Sequence, residues 1–141
     1  MLRFELEKQL FAGTLAVVDL PRAWNALSRE LLGLEPASDS QGVLQDVHWS
    51  DGGFGYFPSY CIGNMMAAQL WYHVLKLRPQ LEADFARGDF IWLLDWLREN
   101  IHSKGRRFDT LGLVQHATGE PLSPQYLLRY LKERYGPLYG A

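Results

Sequence analysis

The sequence predicts an all-α fold: a compact helical domain over residues 1–141, with one long functional loop over about residues 34–57 and at most a minor extended segment. Three observations carry this. Apolar residues recur at helical spacing along most of the chain. Prolines stand where helices start (Pro21, Pro58, Pro124) and glycines where they stop (Gly13, Gly33, Gly136), as helix termini favour. Between Leu34 and Gly53 the periodicity fails, and Pro36, Ser38, Asp39, Ser40, Gly42, Gly52 and Gly53 gather instead.

Each element follows from its residues. Leu2, Leu6 and Leu10, with Phe11 beside them, share a face of an opening helix that Gly13 stops. That helix has no N-capping residue, so the pattern reads as a cut through a longer helix. Asp19 caps the next helix, with Pro21 in its first turn, Trp24, Leu27 and Leu31 on one side and Gly33 as C-cap. The long loop that follows carries a short extended piece over Val43 to Trp49; loops of this length inside compact domains are usually functional or disordered, and this one is too aromatic at its end to be disordered. Pro58 opens the longest helix, to Leu77, with Ile62, Met66 and Leu70 as its buried stripe, broadened by Met65 and Trp71. Gly63, Ala67 and Ala68 let a neighbour approach it closely. A short helix runs after Pro79 to Arg87 and Gly88. Asp89 caps another, with Ile91, Leu94, Leu97 and Ile101 inward. The turn around Gly105 and a brief helix from Thr110 to Ala117 lead to Ser123 and Pro124, which start a last helix ended by Gly136.

Composition narrows the function classes. A length of 141 residues with 48% hydrophobic content supports a real core and argues against disorder. A formal net charge of −2 argues against a general nucleic-acid binder. No apolar run approaches the roughly 18 residues a membrane span needs, and the first residues do not read as a signal peptide. The one cysteine, Cys61, excludes an internal disulfide and fits a reducing cytoplasm, the expected compartment. It lies on what reads as an apolar helix face, where it behaves as a small hydrophobe.

Chemistry concentrates between Gly42 and Tyr60. An amide, a carboxylate, an imidazole, an indole and two phenols share this glycine-rich stretch, whereas cores are mostly aliphatic and solvated loops carry Lys, Glu and Ser. Gly42-x-x-Gln45-Asp46-x-His48-Trp49 resembles the G-x-x-Q-D-x-H-W signature of the carboxypeptidase Taq family of zinc metallocarboxypeptidases. The likeness continues through Gly55-Tyr56-Phe57-Pro58-x-Tyr60 and Gly63-Asn64 to Ala67-Ala68-Gln69. It covers essentially the whole chain, which corresponds to the carboxy-terminal part of the family's longer enzyme. The family's zinc is held by an H-E-x-x-H helix and a later glutamate. This chain has no H-E-x-x-H, and no two of His48, His73, His102 and His116 stand four apart. No cofactor is therefore expected in this chain, and zinc or another divalent metal only in the intact enzyme.

The resemblance implies a hydrolase that releases residues from peptide carboxyl ends. In it this chain supplies oxyanion and substrate contacts but not the metal, and alone it is expected to be inactive. His48 is the first candidate catalytic residue, donating to a carbonyl oxygen that turns negative during attack. Tyr56, on the flexible stretch, is the second, and Tyr60 competes with it as a packing or substrate-binding residue. Gln45 either holds the loop or touches substrate. Asp46 either orients the imidazole or, the favoured reading, fixes the loop structurally, as do Gly42, Trp49 and Pro58. Asn64 and Gln69 tie helices together. The implied partners are a peptide substrate and the missing amino-terminal catalytic part, with neither nucleic acid nor membrane. The rival reading is a non-catalytic module that binds peptides or forms a homo-oligomer through an exposed apolar patch.

Overall fold

The computed structural model describes residues 1–140, and among them every regular element is helical. Seven α-helices follow in order among the described residues: α1 (Leu2–Phe11), α2 (Leu20–Leu32), α3 (Pro58–Leu77), α4 (Leu81–Ala86), α5 (Ile91–Asn100), α6 (Thr110–Thr118) and α7 (Gln125–Tyr139). The chain forms two compact units, Met1–Cys61 and the residues from Ile62 on, and the division falls inside α3.

In the first unit, Leu2 and Leu6 of α1 meet Trp24 of α2 and Val43 of the loop in a small core. Leu15, Leu20, Ala23, Leu27 and Trp49 pack around it. Full burial of a side chain such as Leu6 contributes about 2 kcal/mol. Gly13, at φ 70°, turns the chain out of α1 in the left-handed conformation that glycine adopts without strain. Asp19 precedes α2 as expected, but its carboxylate caps no amide. It ends a 3₁₀ turn in helical conformation (φ −88°, ψ −6°), Pro21 has no N–H to offer, and Asp19 accepts from Arg22 at 2.9 Å instead. At the far end, the buried Ser28 hydroxyl donates to the Leu34 carbonyl at 2.9 Å and fixes the exit through Gly33. The segment Val43 to Trp49 forms turns rather than the expected extended piece. Its amides bond locally, Leu44 to the Asp39 carbonyl and Gln45 to that of Gly42.

In the second unit the buried positions are Ala68, Gln69, Tyr72 and Val74 of α3, Leu81 and Asp84 of α4, and Val114, Ala117 and Thr118 of α6. This corrects the expected stripe on α3. Ile62 is 38% exposed and Met66 and Leu70 are only half-buried, because the side that packs is chosen by Gln69. The Gln69 amide nitrogen donates to Thr118 Oγ1 and to the Glu120 and Pro121 carbonyls at 3.1–3.2 Å, while its oxygen accepts the Ser123 amide at 2.9 Å. Gln69 thus ties α3 to the end of α6 and the approach to α7.

Asn64, in contrast, is exposed and lines an apolar groove of about 430 Å³ with Ala67, Trp71, Leu127 and Leu131. Cys61 is exposed too, not part of an apolar packing face. On α5 the expected inward face holds only in its second half, where Leu97 and Ile101 are half-buried. Ile91 is 69% exposed and Leu94 faces solvent, because Trp92 and Trp96 choose the packed side, Trp96 against His73 with ring centres 5.8 Å apart. Phe90, not Asp89, holds the N-cap position, although Asp89 still accepts the Ile91 amide at 3.2 Å.

Helix α7 continues past Gly136 and Pro137 to Tyr139. The turn before the proline is held by Glu133, which accepts from the Tyr72 hydroxyl at 2.5 Å and from Arg129 Nε at 2.8 Å. Pro137 has no N–H to donate, so the helix runs on with one backbone hydrogen bond fewer there. No residue of α7 is buried, and Leu128, Leu131, Leu138 and Tyr139 stand exposed along it. Among the described residues no helix is long and apolar enough to cross a membrane.

Candidate functional site

The loop between α2 and α3 is pinned to the first unit one residue at a time. Gly42 is buried in a tight spot: a Cβ there would lie 3.1 Å from the Pro36 ring and 3.3 Å from Trp24, so those side chains would have to give by a few tenths of an ångström. Val43 then enters the core. Asp46 forms an ion pair with Arg3 of α1, whose guanidinium lies over the Trp24 and Phe57 rings at 5.2 and 5.4 Å. The Asp46 carboxylate thus fixes the loop to α1, and the hydrogen bonds of His48 do not include it. Trp49 packs edge-on against Trp24, with ring centres 6.4 Å apart.

These anchors hold His48 half-buried among aromatic rings. Phe57 lies 4.7 Å away, Tyr56 stacks at 5.9 Å with 25° between planes, and Tyr60 stands edge-on at 6.0 Å. The imidazole Nε2 is 3.1 Å from the Tyr60 hydroxyl oxygen, and Nδ1 is buried with no protein partner. Nδ1 lacks a protein partner in either tautomer, and the tautomer decides which of His48 Nε2 and Tyr60 Oη donates across the pair. Both phenols are accessible, Tyr56 at 51% and Tyr60 at 54% exposure.

Glycines close the loop behind the imidazole. The Gly53 amide donates to the His48 carbonyl at 2.7 Å, and Gly52 and Gly55 take positive φ (76° and 73°). Pro58 then starts α3 and sets Tyr60 in its first turn. Gln45 is exposed and lines a cavity of about 460 Å³ with Arg3, Ser28, Glu35 and Gln41. The chemistry on offer is one imidazole and two phenols with ring centres 5.4–6.0 Å apart.

Arg3 and Glu7 also belong to the site, although their residue types alone do not mark them as its members. Glu7 is 3% exposed, and its Oε1 accepts the Gly55 amide at 2.5 Å. A signal was present: the two charges stand four apart, in register with Leu2 and Leu6.

A metal does not fit these residues. Among the described residues no group of three or more His, Cys, Asp and Glu side chains is placed to hold an ion, and the ring neighbours of His48 are Tyr56, Phe57 and Tyr60.

The profile of the carboxypeptidase Taq (M32) metallopeptidase family matches residues 1–135. The chain is 44% identical over 139 residues to carboxypeptidase 1 of Bacillus subtilis, and 46% identical over 140 residues to thermostable carboxypeptidase 1 of Thermus thermophilus. Each alignment covers 99% of this chain but 28% of the relative, so the chain spans a little over a quarter of their length. The crystal structure of the M32 carboxypeptidase from Deinococcus radiodurans superposes with a TM-score of 0.93 at 48% identity, over 99% of this chain and 28% of that one. This chain belongs to the carboxypeptidase Taq (M32) metallopeptidase family.

Proposed function

We propose that this chain is the carboxy-terminal, substrate-facing portion of a metallocarboxypeptidase that releases amino acids from peptide carboxyl ends. Family membership supports the reaction class. The observation that carries the role is the His48–Tyr60 pair, 3.1 Å apart, with the Tyr56 ring stacked alongside. When water attacks a peptide carbonyl, its oxygen becomes an anion, and a preorganised donor aimed there lowers the barrier by about 3 kcal/mol. His48 and Tyr56 fill that role, with Tyr60 as the hydroxyl that completes the cluster and Gln45 as a substrate contact. The divalent metal, zinc by the family's pattern, and the general base belong to the portion of the relatives that lies outside this chain.

The chain alone is expected to release nothing from a blocked dipeptide in zinc buffer. Hydrolysis by the purified chain that chelation abolishes would overturn that expectation. The role itself is tested in a chimera in which this chain replaces the matching segment of the Bacillus subtilis relative. An active chimera should lose about 100-fold in kcat on His48→Ala. A change below threefold would remove His48 from the chemistry.

A second reading is a module that self-associates or binds peptides. The exposed Leu128, Leu131, Leu138 and Tyr139 of α7 favour it. Light scattering that shows a clean monomer with no affinity for peptides would leave it unsupported.

A further inference from the structure

Helix α1 holds the loop along one stripe. Arg3, Glu7 and Phe11 stand four residues apart in turn, so they share a face of the helix. Arg3 pairs with Asp46, two residues before His48. Glu7 accepts the amide of Gly55, one residue before Tyr56. The Phe11 ring packs edge-on against Phe54 at 5.1 Å. One helix thereby grips the loop on both sides of its glycine turn.

Glu7 is the member whose presence needs explaining. The residue is 3% exposed, its Oε1 has a single amide donor, and its Oε2 has no protein partner. Burying a carboxyl group with so few hydrogen bonds opposes folding, and an apolar side chain of the same volume is often the more stable choice. What the carboxylate does supply is direction. Gly52, Gly53 and Gly55 leave the turn little conformational preference of its own, and Gly55 sits at φ 73°. Fixing the Gly55 amide fixes where the chain departs toward Tyr56.

We propose that Glu7 is a positioning residue: its buried carboxylate tethers Gly55 and thereby holds the Tyr56 ring against His48. The tether is a property of this chain in the absence of any ligand. Only the importance of Tyr56 to substrate rests on the peptidase reading.

The test uses the whole chain and two near-isosteric variants. Glu7→Met keeps the volume and removes the acceptor, while Glu7→Gln keeps an acceptor oxygen. Hydrogen exchange at the Gly55 amide, ring resonances of His48 and Tyr56, and the thermal midpoint are read together. Glu7→Met should speed Gly55 exchange about tenfold and shift both rings, with the midpoint held or raised. Glu7→Gln should recover most of the slow exchange. The tether is overturned if Gly55 exchange is unchanged in Glu7→Met. It is equally overturned if Glu7→Gln is as fast as Glu7→Met, or if exchange rises uniformly over the chain as the midpoint falls, the mark of a merely structural role. None of these readouts needs substrate or metal, so failure of the peptidase reading leaves them intact.

Discussion

The imidazole Nε2 of His48 and the hydroxyl oxygen of Tyr60 lie 3.1 Å apart although twelve residues separate them. Nδ1 is buried without a protein partner, so Tyr60 is the group that can bias the imidazole tautomer. Tyr60→Phe should leave the fold in place and remove that bias. Nitrogen chemical shifts of His48 read this directly, with a different balance of the two tautomers in the variant. Identical shifts in both proteins would mean that the pair does not set the tautomer.

The Arg3–Asp46 pair gives a prediction about stability. Both side chains are about a third exposed (32% and 33%), so solvent screens the attraction and the coupling should be about 1 kcal/mol in a double-mutant cycle. Arg3→Ala should cost more than Asp46→Ala, by about 0.5–1 kcal/mol. The guanidinium also lies over the Trp24 and Phe57 rings, and those contacts go with it. Urea midpoints of the two single variants and the double variant decide this. Equal losses in the two singles would discount the aromatic contacts.

Helix existence was legible where backbone chemistry is local, and burial was not. Pro58 and Pro79 bracket α3, and its bounds, Pro58–Leu77, are those read from the sequence. Its buried face was misread because α3 is apolar on several sides, so periodicity did not choose among them. The choice is made by Gln69, whose partners lie some fifty residues on. Gly136 has the residue type of a helix stop, yet the helix passes through it and Pro137 to Tyr139. In the loop, the residue types named a functional stretch, but only the folded chain brings Arg3 to Asp46 and Glu7 to Gly55 across more than forty positions.

Gln69 offers a sharper test of the second unit than any of its apolar neighbours. It is 1% exposed and its amide satisfies two carbonyls, a hydroxyl and a backbone N–H. Gln69→Leu preserves volume and strands the Pro121 carbonyl and the Ser123 amide, while the Glu120 carbonyl keeps only the Thr118 hydroxyl, at a cost of about 3 kcal/mol. The thermal midpoint should fall by several degrees, and amide exchange should accelerate first between Thr118 and Ser123. A loss below about 0.5 kcal/mol would show that solvent reaches these groups in place of Gln69.

Asp84 sets the acid limit of the same unit. Its carboxylate is buried at 2% exposure between Arg78 Nε and Arg87, each donating at 2.5 Å. The hydrogen bond from Arg78, and then the charges of both arginines, hold its pKa below the usual carboxylate value against the opposing pull of burial. The sign follows from linkage. The folded state favours the ionised form more than the unfolded chain does, so this contribution is whole above the unfolded value of about 3.9. It is lost as pH falls from there through the lower folded value. Asp84→Asn removes the titrating group, so the variant should be less stable than the parent at pH 7 and should lose less on acidification. Urea midpoints at pH 7, 5, 4 and 3 measure both slopes. Parallel curves for parent and variant would mean that Asp84 is not what ties the stability of this unit to pH.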